Sequence, residues 1–533
     1  MFKYVFAYVK REKSVCIILC LFSVIVSISK VIAPYINGKF IDALSQQPNY
    51  NNVKFFAVLL CIVGGSGMIL AFSSNFLSTK IINRINYRAI SELISHLEHI
   101  PFEKFWGKYN IAELTQRIFT DVSVVVSFFM GNVFQSIVNI ILIILLSAVL
   151  LEINMIFCGL LLLFIPFYSI AYFLLKDSLY QSSRLLKIES NIYFSAVYGE
   201  LNNISYIKME GAFKNSQNFI KNSFNKYLSV VLKNTKLMQI FASIDTSLAL
   251  LFQVVILITG GYQIVNGSMT IGEYTIINSY FLTLINYIKF YFALGRDYQN
   301  ARASFSRIQE LLNVPNENNG NKYLSNIGKI EIDSIAFKYN QTDIINIENN
   351  FCFKKNNIYE IKGKNGSGKT TLIYILTGIL QSLEKGCVKY DDCDIQILDM
   401  YEIRRKCMGV LSQGNIIPDL LVKDYLRKSK DEIIQNVNIL KIEGFFLNSD
   451  IALLLNKKIC ELSEGERQKI FLLKILMKNT SIIILDEPTT NLDNYSIKAL
   501  VECLRFLKKN RIIIIANHDN RLEKIIDYTI NLK

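Results

Sequence analysis

The 533-residue sequence is poor in charge, proline and histidine: only 19% of its residues are charged, and it has 7 prolines and 3 histidines. Its 10 cysteines include no CxxC pair, which argues against a structural zinc site and against a disulfide framework. Because no small-residue cleavage site follows the first apolar run, we expect no cleavable signal peptide. A chain of this length exceeds one compact core and predicts at least two domains.

Apolar residues are abundant instead. They make up 51% of the chain, and the mean hydropathy of +0.29 is typical of a protein that lies partly in a membrane. The net charge of +14 could indicate a nucleic-acid partner. Because the positive residues lie in the loops between apolar runs, we favour a membrane protein with basic cytosolic surfaces and expect no nucleic acid.

Six apolar segments are long enough to cross a hydrocarbon layer of about 30 Å. They cover residues 14–34, 55–79, 121–152, 152–176, 246–272 and 272–302. Glu152 marks a tight turn between the third and fourth segments. Buried helices of a soluble protein would be fewer and shorter.

The loops predict the orientation. Loops 80–117 and 176–236 are rich in Lys and Arg, whereas the opposite loops carry only Lys39 and Lys54. The positive-inside rule therefore places both long loops and both termini in the cytosol. Both loops have few glycines and a single proline, so we expect the membrane helices to extend far into the cytosol. Residues 2–13 fit an amphipathic helix at the membrane interface or a simple basic flank.

We divide the chain into a transmembrane domain of residues 1–314, an Asn-rich linker of residues 315–327 and a second domain of residues 328–533. The second domain alternates short apolar strands with charged segments. This pattern predicts an α/β fold.

A phosphate-binding loop follows the apolar strand 358–361 and precedes the periodic helix 371–380, which is the strand–loop–helix context that G-x-x-x-x-G-K-[ST] requires. Its glycines let N–H groups converge on phosphate oxygens at a helix N-terminus. Lys369 would reach the β- and γ-phosphates of ATP, and Thr370 would bind Mg²⁺. The expected ATP-binding residues are Gly363, Lys364, Asn365, Gly366, Ser367, Gly368, Lys369, Thr370 and Thr371.

Two further apolar strands end in polar residues. The strand at 482–485 ends in Asp486 and Glu487, and the strand at 511–515 is followed by His518. We expect Asp486 to hold Mg²⁺, Glu487 to polarise the attacking water, and His518 to contact the γ-phosphate, because ligands bind at the carboxyl edge of parallel sheets.

Between these elements stands Leu462-Ser463-Glu464-Gly465-Glu466, which resembles the ABC signature, usually Leu-Ser-Gly-Gly-Gln. Gln413 resembles the Q-loop glutamine, Asp493 the D-loop aspartate, and His518 the switch histidine. Tyr339 resembles the aromatic that stacks on adenine. The resemblance implies that Ser463, Gly465, Asp493 and Tyr339 contact ATP and that Gln413 contacts ATP and Mg²⁺. It also implies that Glu487 and His518 are catalytic.

The first half is similar to the six-helix exporter type in three stretches, residues 101–121, 267–273 and 304–308. The resemblance implies an all-α six-helix transmembrane domain with long cytosolic helical extensions, followed by an α/β P-loop ABC ATPase domain. It also implies short coupling helices near 102–114 and 195–201. Trp106, Tyr109 and Tyr198 are candidate contacts with an ATPase domain, or they pack within the helical loops.

The sequence departs from the family in its signature, where Glu464 replaces a glycine and Glu466 a glutamine. A carboxylate about 8 Å from a phosphate charge costs about 2 kcal/mol at an effective dielectric of about 20. Lys457 and Lys458 could offset the added charge. No cysteine-protease domain precedes the membrane domain in this sequence, so we expect no resemblance to the peptide exporters that cleave their own cargo's leader.

The resemblance implies an ATP-driven exporter that works as a dimer with a second copy of itself or a related half-transporter, in the plasma membrane of a bacterium and among its lipids. We expect an amphipathic or hydrophobic cargo, with peptides as one class. A lipid flippase, a multidrug exporter and an ATP-gated regulatory subunit are the alternatives. The sixth segment is aromatic, and amides lie on the third and fifth. These residues would line the cargo cavity or, alternatively, face lipid or pack helices together: Tyr280, Phe281, Tyr287, Phe290, Tyr291, Phe292, Gln135, Asn139 and Gln253.

Overall fold

The chain divides into two compact units, a helical unit of Met1–Leu97 and Ile111–Asn313 and an α/β unit of Glu98–Asn110 and Val314–Lys533. A computed structural model describes residues 1–46, 49–105, 114–115, 117–339, 342–347, 350–364, 366–381, 383–412, 417–446, 451–518 and 520–532. Each unit is described by itself.

Six long helical runs dominate the helical unit, preceded by a short N-terminal helix. In chain order the helices are α1 (Phe2–Arg11), α2 (Lys13–Gln46), α3 (Tyr50–Glu98), α4 (Phe102–Phe105, which belongs to the α/β unit), α5 (Val122–Ser127), α6 (Phe134–Ile153), α7 (Met155–Asn202), α8 (Ile204–Glu210), α9 (Phe213–Val265) and α10 (Ile271–Leu312). Two π-helical turns, Arg117–Asp121 and Phe128–Val133, flank α5 and join it to α6 in one run.

Within the described residues, five of these runs are long and apolar enough to cross a membrane. They are Lys13–Gln46, Tyr50–Glu98, Arg117–Ile153, Met155–Asn202 and Phe213–Val265. The sixth predicted span is the helix α10, which has the required length but falls outside this set. Its sequence places Glu273 and Lys289 among the apolar residues, which lowers its hydropathy below that of the others.

The predicted extensions of the membrane helices are confirmed. The helix α3 continues for 49 residues and α9 for 53, through the sequence stretches that the composition assigned to long loops. Glu152 lies one residue before the end of α6, and α7 starts at Met155, so the predicted tight turn is confirmed as well.

The prediction of a short separate helix at 195–201 is wrong. These residues belong to the 48-residue helix α7, which ends only at Asn202. Asn203, with φ −93° and ψ 16°, leaves the helical conformation, and the short helix that follows is Ile204–Glu210. A glycine inside a helix costs only about 1 kcal/mol, so Gly199 does not interrupt it.

The N-terminal residues form a helix that packs on the chain. Val5 and Tyr8 are buried, and the Tyr8 hydroxyl donates to Glu92 Oε2 at 2.6 Å. Arg11 pairs with the same carboxylate at 2.9 Å. Of the two alternatives for residues 2–13, the helical one agrees with the structure.

Two polar contacts hold α10 to other helices of its unit. Asp42 of α2 is buried, and its carboxylate accepts the Gly272 N–H at 2.8 Å and the Thr270 hydroxyl at 3.0 Å. A carboxylate at a helix N-terminus satisfies N–H groups that have no partner inside the helix. Near the other end of α10, Arg307 forms a two-pronged ion pair with the buried Asp121.

Some aromatic residues of α10 are buried in the helical unit and others are partly exposed. The prediction that all of them line a cargo cavity is therefore wrong for the buried ones. Tyr280 and Phe281 are each only 1% exposed and lie in the apolar core of the helical unit. The Tyr280 hydroxyl donates to Val31 O at 2.6 Å. These two rings are therefore core residues, because they pack against their own chain. Tyr287 is half-buried and packs on the margin of the same core.

The α/β unit contains two five-stranded sheets. Its strands are β1 (Lys329–Tyr339), β2 (Thr342–Asn346), β3 (Phe351–Lys354), β4 (Asn357–Lys362), β5 (Lys385–Tyr390), β6 (Cys393–Asp394), β7 (Met408–Leu411), β8 (Ile482–Asp486), β9 (Ile512–Ala516) and β10 (Tyr528–Asn531). Its further helices are α11 (Lys369–Leu376), α12 (Met400–Lys406), α13 (Val422–Leu426), α14 (Lys430–Ile439), α15 (Ile451–Leu454), α16 (Glu464–Leu476) and α17 (Asn494–Leu507).

The first sheet is antiparallel, with the order β2-β1-β5-β6 and with β3 also paired to β1. The second is parallel, with the order β10-β4-β9-β8-β7. Every residue of β8 and β9 is buried, as continuous apolar runs predict for the centre of a parallel sheet. The predicted strands are confirmed, with Arg511 left outside β9. The helix α11 ends at Leu376, earlier than predicted, because Gly378 turns the chain at φ +65°.

Two segments outside the predicted second domain also pack on the α/β unit. In the linker, Asn319 Nδ2 donates to Asp399 Oδ1 at 2.9 Å, and a Cβ atom on Gly320 would lie 2.0 Å from the carbonyl carbon of Ile397. In the segment 98–105, Glu103 Oε1 accepts the Gln381 N–H at 3.1 Å, and the Phe102 ring lies 5.5 Å from that of Tyr374.

Candidate functional site

One edge of the parallel sheet gathers the predicted site residues. The carboxyl ends of β4, β8 and β9 are adjacent, with Asp486 opposite Ala516 and Ile361 opposite the same residue. These strand ends open into a cavity of about 640 Å³. Its lining consists of Ile344, Gly366, Gly368, Lys369, Thr370, Thr371, Asp486, Glu487 and His518.

The loop after β4 needs glycine at defined positions. Gly366 and Gly368 have φ of +84° and +89°, a region that residues with a side chain rarely adopt. A Cβ atom on Gly363 would lie 2.3 Å from Ser367 Oγ. Gly368 immediately precedes α11, so the loop delivers the chain into a helix N-terminus, where N–H groups can bind an anion. Asn365 lies outside the described residues.

Lys369 is folded back onto this loop. Its ammonium donates to Gly363 O at 2.8 Å and to Lys364 O at 3.1 Å, and the residue is only 7% exposed. Burial lowers the pKa of this ammonium, while the carboxylates of Glu487 and Asp486 oppose the shift. The lysine thus lies in the cavity with its charge held by two carbonyl groups.

Oxygen donors suited to a hard cation meet beside the lysine. The Thr370 hydroxyl donates to Asp486 Oδ2 at 3.0 Å, and Asp486 is 4% exposed. Hydroxyl and carboxylate oxygens are the donors that Mg²⁺ prefers, so these two residues fit the ion. Gln413, the third expected metal-binding residue, lies outside the described residues. Among the described residues, no group of three or more His, Cys, Asp or Glu side chains could hold a metal.

Glu487 and His518 are in contact. His518 Nε2 lies 2.7 Å from Glu487 Oε1, and the Glu487 N–H donates to Ala516 O at 2.8 Å. Glu487 has φ of +48°, which is uncommon for a residue with a side chain and costs of order 1–3 kcal/mol. The end of β8 thus places the Glu487 carboxylate in the cavity on a strained backbone.

Neither Ser463 nor Gly465 of the signature is among the described residues that line the cavity. Ser463 caps the N-terminus of α16, and its N–H and hydroxyl both donate to Glu466 Oε2 at 2.9 Å. Glu464 Oε2 accepts a hydrogen bond from Asn491 Nδ2 at 3.1 Å. A Cβ atom on Gly465 would lie 2.7 Å from Asn491 O.

Asp493 caps the N-terminus of α17 and accepts hydrogen bonds from two donors. It accepts the Ser496 N–H at 2.8 Å and pairs with Lys469 at 2.8 Å. Burial opposes ionisation, but the Lys469 ammonium and the Ser496 N–H outweigh it and hold the pKa of Asp493 at about 2.

The sequence analysis did not predict a role for Lys469 or Gln468, nor the left-handed conformation of Asn491. Gln468 Nε2 is 3.5 Å from Glu487 O, and Asn491 has φ of +60°. Only the asparagine carries a local signal, because asparagine is enriched in the left-handed region.

None of the remaining predicted contact residues, which are four aromatic side chains, is among the described residues that line the cavity. Tyr339 ends β1, and its side chain lies outside the described part of the chain. Trp106 and Tyr109 fall outside it too. Tyr198 is 56% exposed on α7.

Comparison with known proteins gives two matches along this chain. The family model described as "ABC transporter transmembrane region" matches residues 16–288, and the one described as "ABC transporter" matches residues 348–490. Known proteins are similar to this chain along much of its length. A lactococcin transport/processing ATP-binding protein of Lactococcus lactis is 24% identical over 515 residues, which are 95% of this chain and 72% of the relative.

Two other relatives are named for different activities. The transport/processing ATP-binding protein ComA of Streptococcus pneumoniae is 22% identical over 516 residues, 95% of this chain and 71% of the relative. An ATP-dependent lipid A-core flippase of Haemophilus ducreyi is 24% identical over 274 residues, 49% of this chain and 47% of the relative.

Proposed function

Because this chain belongs to the ABC transporters, with the transmembrane region and the ATPase domain in one polypeptide, we propose that two copies of it form an exporter of amphipathic cargo. The chain is a multi-pass membrane protein and an ABC exporter half-transporter, which binds ATP and couples its hydrolysis to transport. The identity of the second subunit, the residue roles and the cargo belong to the proposal.

The cavity at the edge of the parallel sheet is the main support for ATP hydrolysis by this unit. It brings a glycine loop, a buried lysine, an acidic strand end and the Glu487–His518 contact into one space. ATP would occupy it with its phosphates on the N–H groups of residues 363–371. Lys369 would then exchange the carbonyls of Gly363 and Lys364 for the β- and γ-phosphates.

Hydrolysis would use residues at the ends of β8 and β9. Thr370 and Asp486 would hold Mg²⁺, together with Gln413, and the ion would neutralise phosphate charge. Glu487 would accept a proton from the attacking water, and His518, in contact with its carboxylate, would keep that carboxylate oriented. General-base catalysis of this kind contributes about 10²–10⁴-fold to the rate.

The described lining of the cavity supports a dimer. Because neither Ser463 nor Gly465 lines the cavity of its own unit as described, we expect these residues to meet the nucleotide of a second copy. ATP would thus bind between two copies. Each copy carries one complete set of the motifs, which favours a homodimer with two equivalent sites.

Segment 98–105 is proposed to transmit nucleotide binding toward the membrane helices. Phe102 contacts Tyr374, which lies on α11 directly after the phosphate-binding loop. Glu103 holds the Gln381 N–H that follows the same helix. A change in the position of α11 on ATP binding would therefore reach this segment through direct contact.

The basic loops favour both termini on the cytosolic side of a bacterial plasma membrane. A tag fused at either terminus should be protected from protease in intact cells and become cleavable after permeabilisation. Cleavage of a terminal tag in intact cells would reverse the orientation.

For cargo, one relative is named for the transport and processing of lactococcin, a second is named a transport/processing protein, and a third is named a lipid A-core flippase. The half-buried Tyr287 offers an amphipathic contact. The test is reconstitution in proteoliposomes with synthetic amphipathic peptides, fluorescent lipids and lipophilic dyes as probes. We expect peptides to stimulate ATP hydrolysis and to move across the bilayer. Stimulation and movement of the lipids alone would make the protein a flippase. ATP hydrolysis without movement of any probe would favour the regulatory alternative.

A further inference from the structure

Within the signature of this chain, the serine is hydrogen-bonded to the glutamate three residues later. Ser463 donates its N–H and its hydroxyl to one atom, Glu466 Oε2, at 2.9 Å in both cases. The hydroxyl oxygen also accepts the Glu466 N–H at 3.3 Å. Both donors of Ser463 are therefore used by a single carboxylate.

That carboxylate is well stabilised as an anion. The Ser463 N–H lowers the pKa of Glu466, burial opposes this, and the Ser463 hydroxyl and the ammonium groups of Lys457 and Lys469 add to the lowering. The N-terminus of α16 contributes a further partial positive charge. Hydrogen bonds to such a charged acceptor are about twice as strong as those between neutral groups.

The main chain of the signature is also held by contacts with Asn491. Glu464 accepts a hydrogen bond from Asn491, and Gly465 approaches Asn491 O so closely that a Cβ atom would lie 2.7 Å from it. Because the main chain is held here, the donors of Ser463 are freed most directly by a movement of the Glu466 side chain.

This arrangement rests on the proposed function, in which the signature of one copy meets the nucleotide of the other. We infer that Glu466 is a positioning residue that withholds the donors of Ser463 from the partner's ATP, and so sets the ATP concentration at which the dimer closes. ATP must displace the carboxylate from Ser463 and also approach its negative charge. The usual glutamine at this position would keep the helix cap without that charge.

The test measures ATP hydrolysis by the full-length protein in nanodiscs as a function of ATP concentration. We expect Glu466→Gln to lower the KM for ATP about thirtyfold, as expected from removing a unit charge near a phosphate, while kcat changes by less than about twofold. Glu466→Met, which removes the acceptor but keeps the side-chain length, should lower the KM as well.

Glu461→Gln is the matched control. Glu461 Oε2 accepts the Lys458 N–H at 3.1 Å, so this variant removes the same charge from a similar capping position a few residues upstream. Its KM should stay within about twofold of the parent value.

The direction of the effect separates this role from a purely structural one. A side chain that only caps α16 would, on substitution, leave the KM for ATP unchanged or raise it, and either result overturns the inference. An equal fall of the KM in Glu461→Gln would also overturn it, because the effect would then be one of general charge. A parent protein without ATP hydrolysis would instead refute the proposed function, and this inference with it.

Discussion

His518 Nε2 and Glu487 Oε1 lie 2.7 Å apart, across the ends of two neighbouring parallel strands. The contact joins the proposed general base, Glu487, to the histidine that would orient its carboxylate. It forms because the β8–β9 register places Asp486 opposite Ala516, so that the residues just after each strand face one another.

Replacing Glu487 by glutamine should remove the general base while keeping the shape of the site. We expect steady-state ATP hydrolysis to fall by at least about a hundredfold, with ATP binding retained. Hydrolysis is measured by phosphate release and binding by a fluorescent nucleotide. Glu502→Gln, on the exposed side of α17, is the control and should be fully active. Hydrolysis near the parent rate in the Glu487 variant would refute its role.

Composite sites between two copies predict complementation. Ser463→Arg blocks the signature, and Lys369→Ala removes the buried ammonium that lies in the cavity. Each variant alone should hydrolyse ATP at the background rate. When the two are co-expressed, mixed dimers keep one intact site, so activity should return to a fraction of the parent level. A mixture that stays inactive, although mixed dimers are recovered, would mean that the sites are not shared in this way.

Phe102→Ala should weaken the link between segment 98–105 and the phosphate-binding loop. An aromatic pair contributes about 0.5–1.5 kcal/mol beyond its buried area, so we expect up to about a tenfold loss of cargo-stimulated hydrolysis with basal hydrolysis retained. The comparison uses an alanine at Phe506, an exposed residue of the same unit. Equal stimulation in both variants would remove Phe102 from the transmission.

Alanine substitutions of the aromatic residues of α10 should have different effects at buried and at partly exposed positions. Phe281 is 1% exposed, so Phe281→Ala should destabilise the helical unit by about 3–5 kcal/mol and reduce the yield of folded protein. Tyr287 is half-buried, so Tyr287→Ala should change cargo-stimulated hydrolysis while basal hydrolysis and thermal stability change little. Size-exclusion chromatography and thermal unfolding report the first effect. If Tyr287→Ala leaves stimulation unchanged for every active compound, this side chain does not touch cargo.

Asp493 provides a pH-dependent contribution to stability. Its folded pKa of about 2 lies below the ordinary value of 3.8, so its stabilisation is present above about pH 4 and is lost as the pH falls toward 2. Asp493→Ala should lower stability by about 1 kcal/mol at pH 7, mainly through loss of the helix cap, since the half-exposed pair with Lys469 adds little. The difference from the parent should shrink near pH 3, as measured by thermal unfolding in detergent. Asp493→Asn, which keeps the cap, should lose less stability than the alanine variant, and a difference that grows at low pH would contradict the assignment.

The sequence predicted the elements whose signals are local. The loop at 363–370 and the strands ending at Asp486 and Ala516 are identified by glycine spacing and by continuous apolar runs, and the structure joins them at one sheet edge. The capping of α16 had a local signal as well, because Ser463 and Glu466 have the S-x-x-E spacing of a capping box.

Contacts between distant parts of the chain had no such signal. Lys469 and Asp493 are 24 residues apart, and only the packing of α16 against the start of α17 brings them together. Which aromatic residues of α10 face the core is decided by the neighbouring helices, so periodicity alone could not separate Phe281 from Tyr287. The break at Asn203 was also hidden, because asparagine both interrupts and continues helices.

The helix α9 is 53 residues long and has no proline, so at 1.5 Å per residue it forms a rod of roughly 80 Å. A rod of this length amplifies rotation: a tilt of about 3° about one end displaces the other by roughly 4 Å, about three quarters of one turn of a helix. Small angular changes at one end can therefore displace the other end by a distance comparable to the size of a side chain. The geometry of the rod, without any large local rearrangement, would be sufficient to open or close a path for cargo.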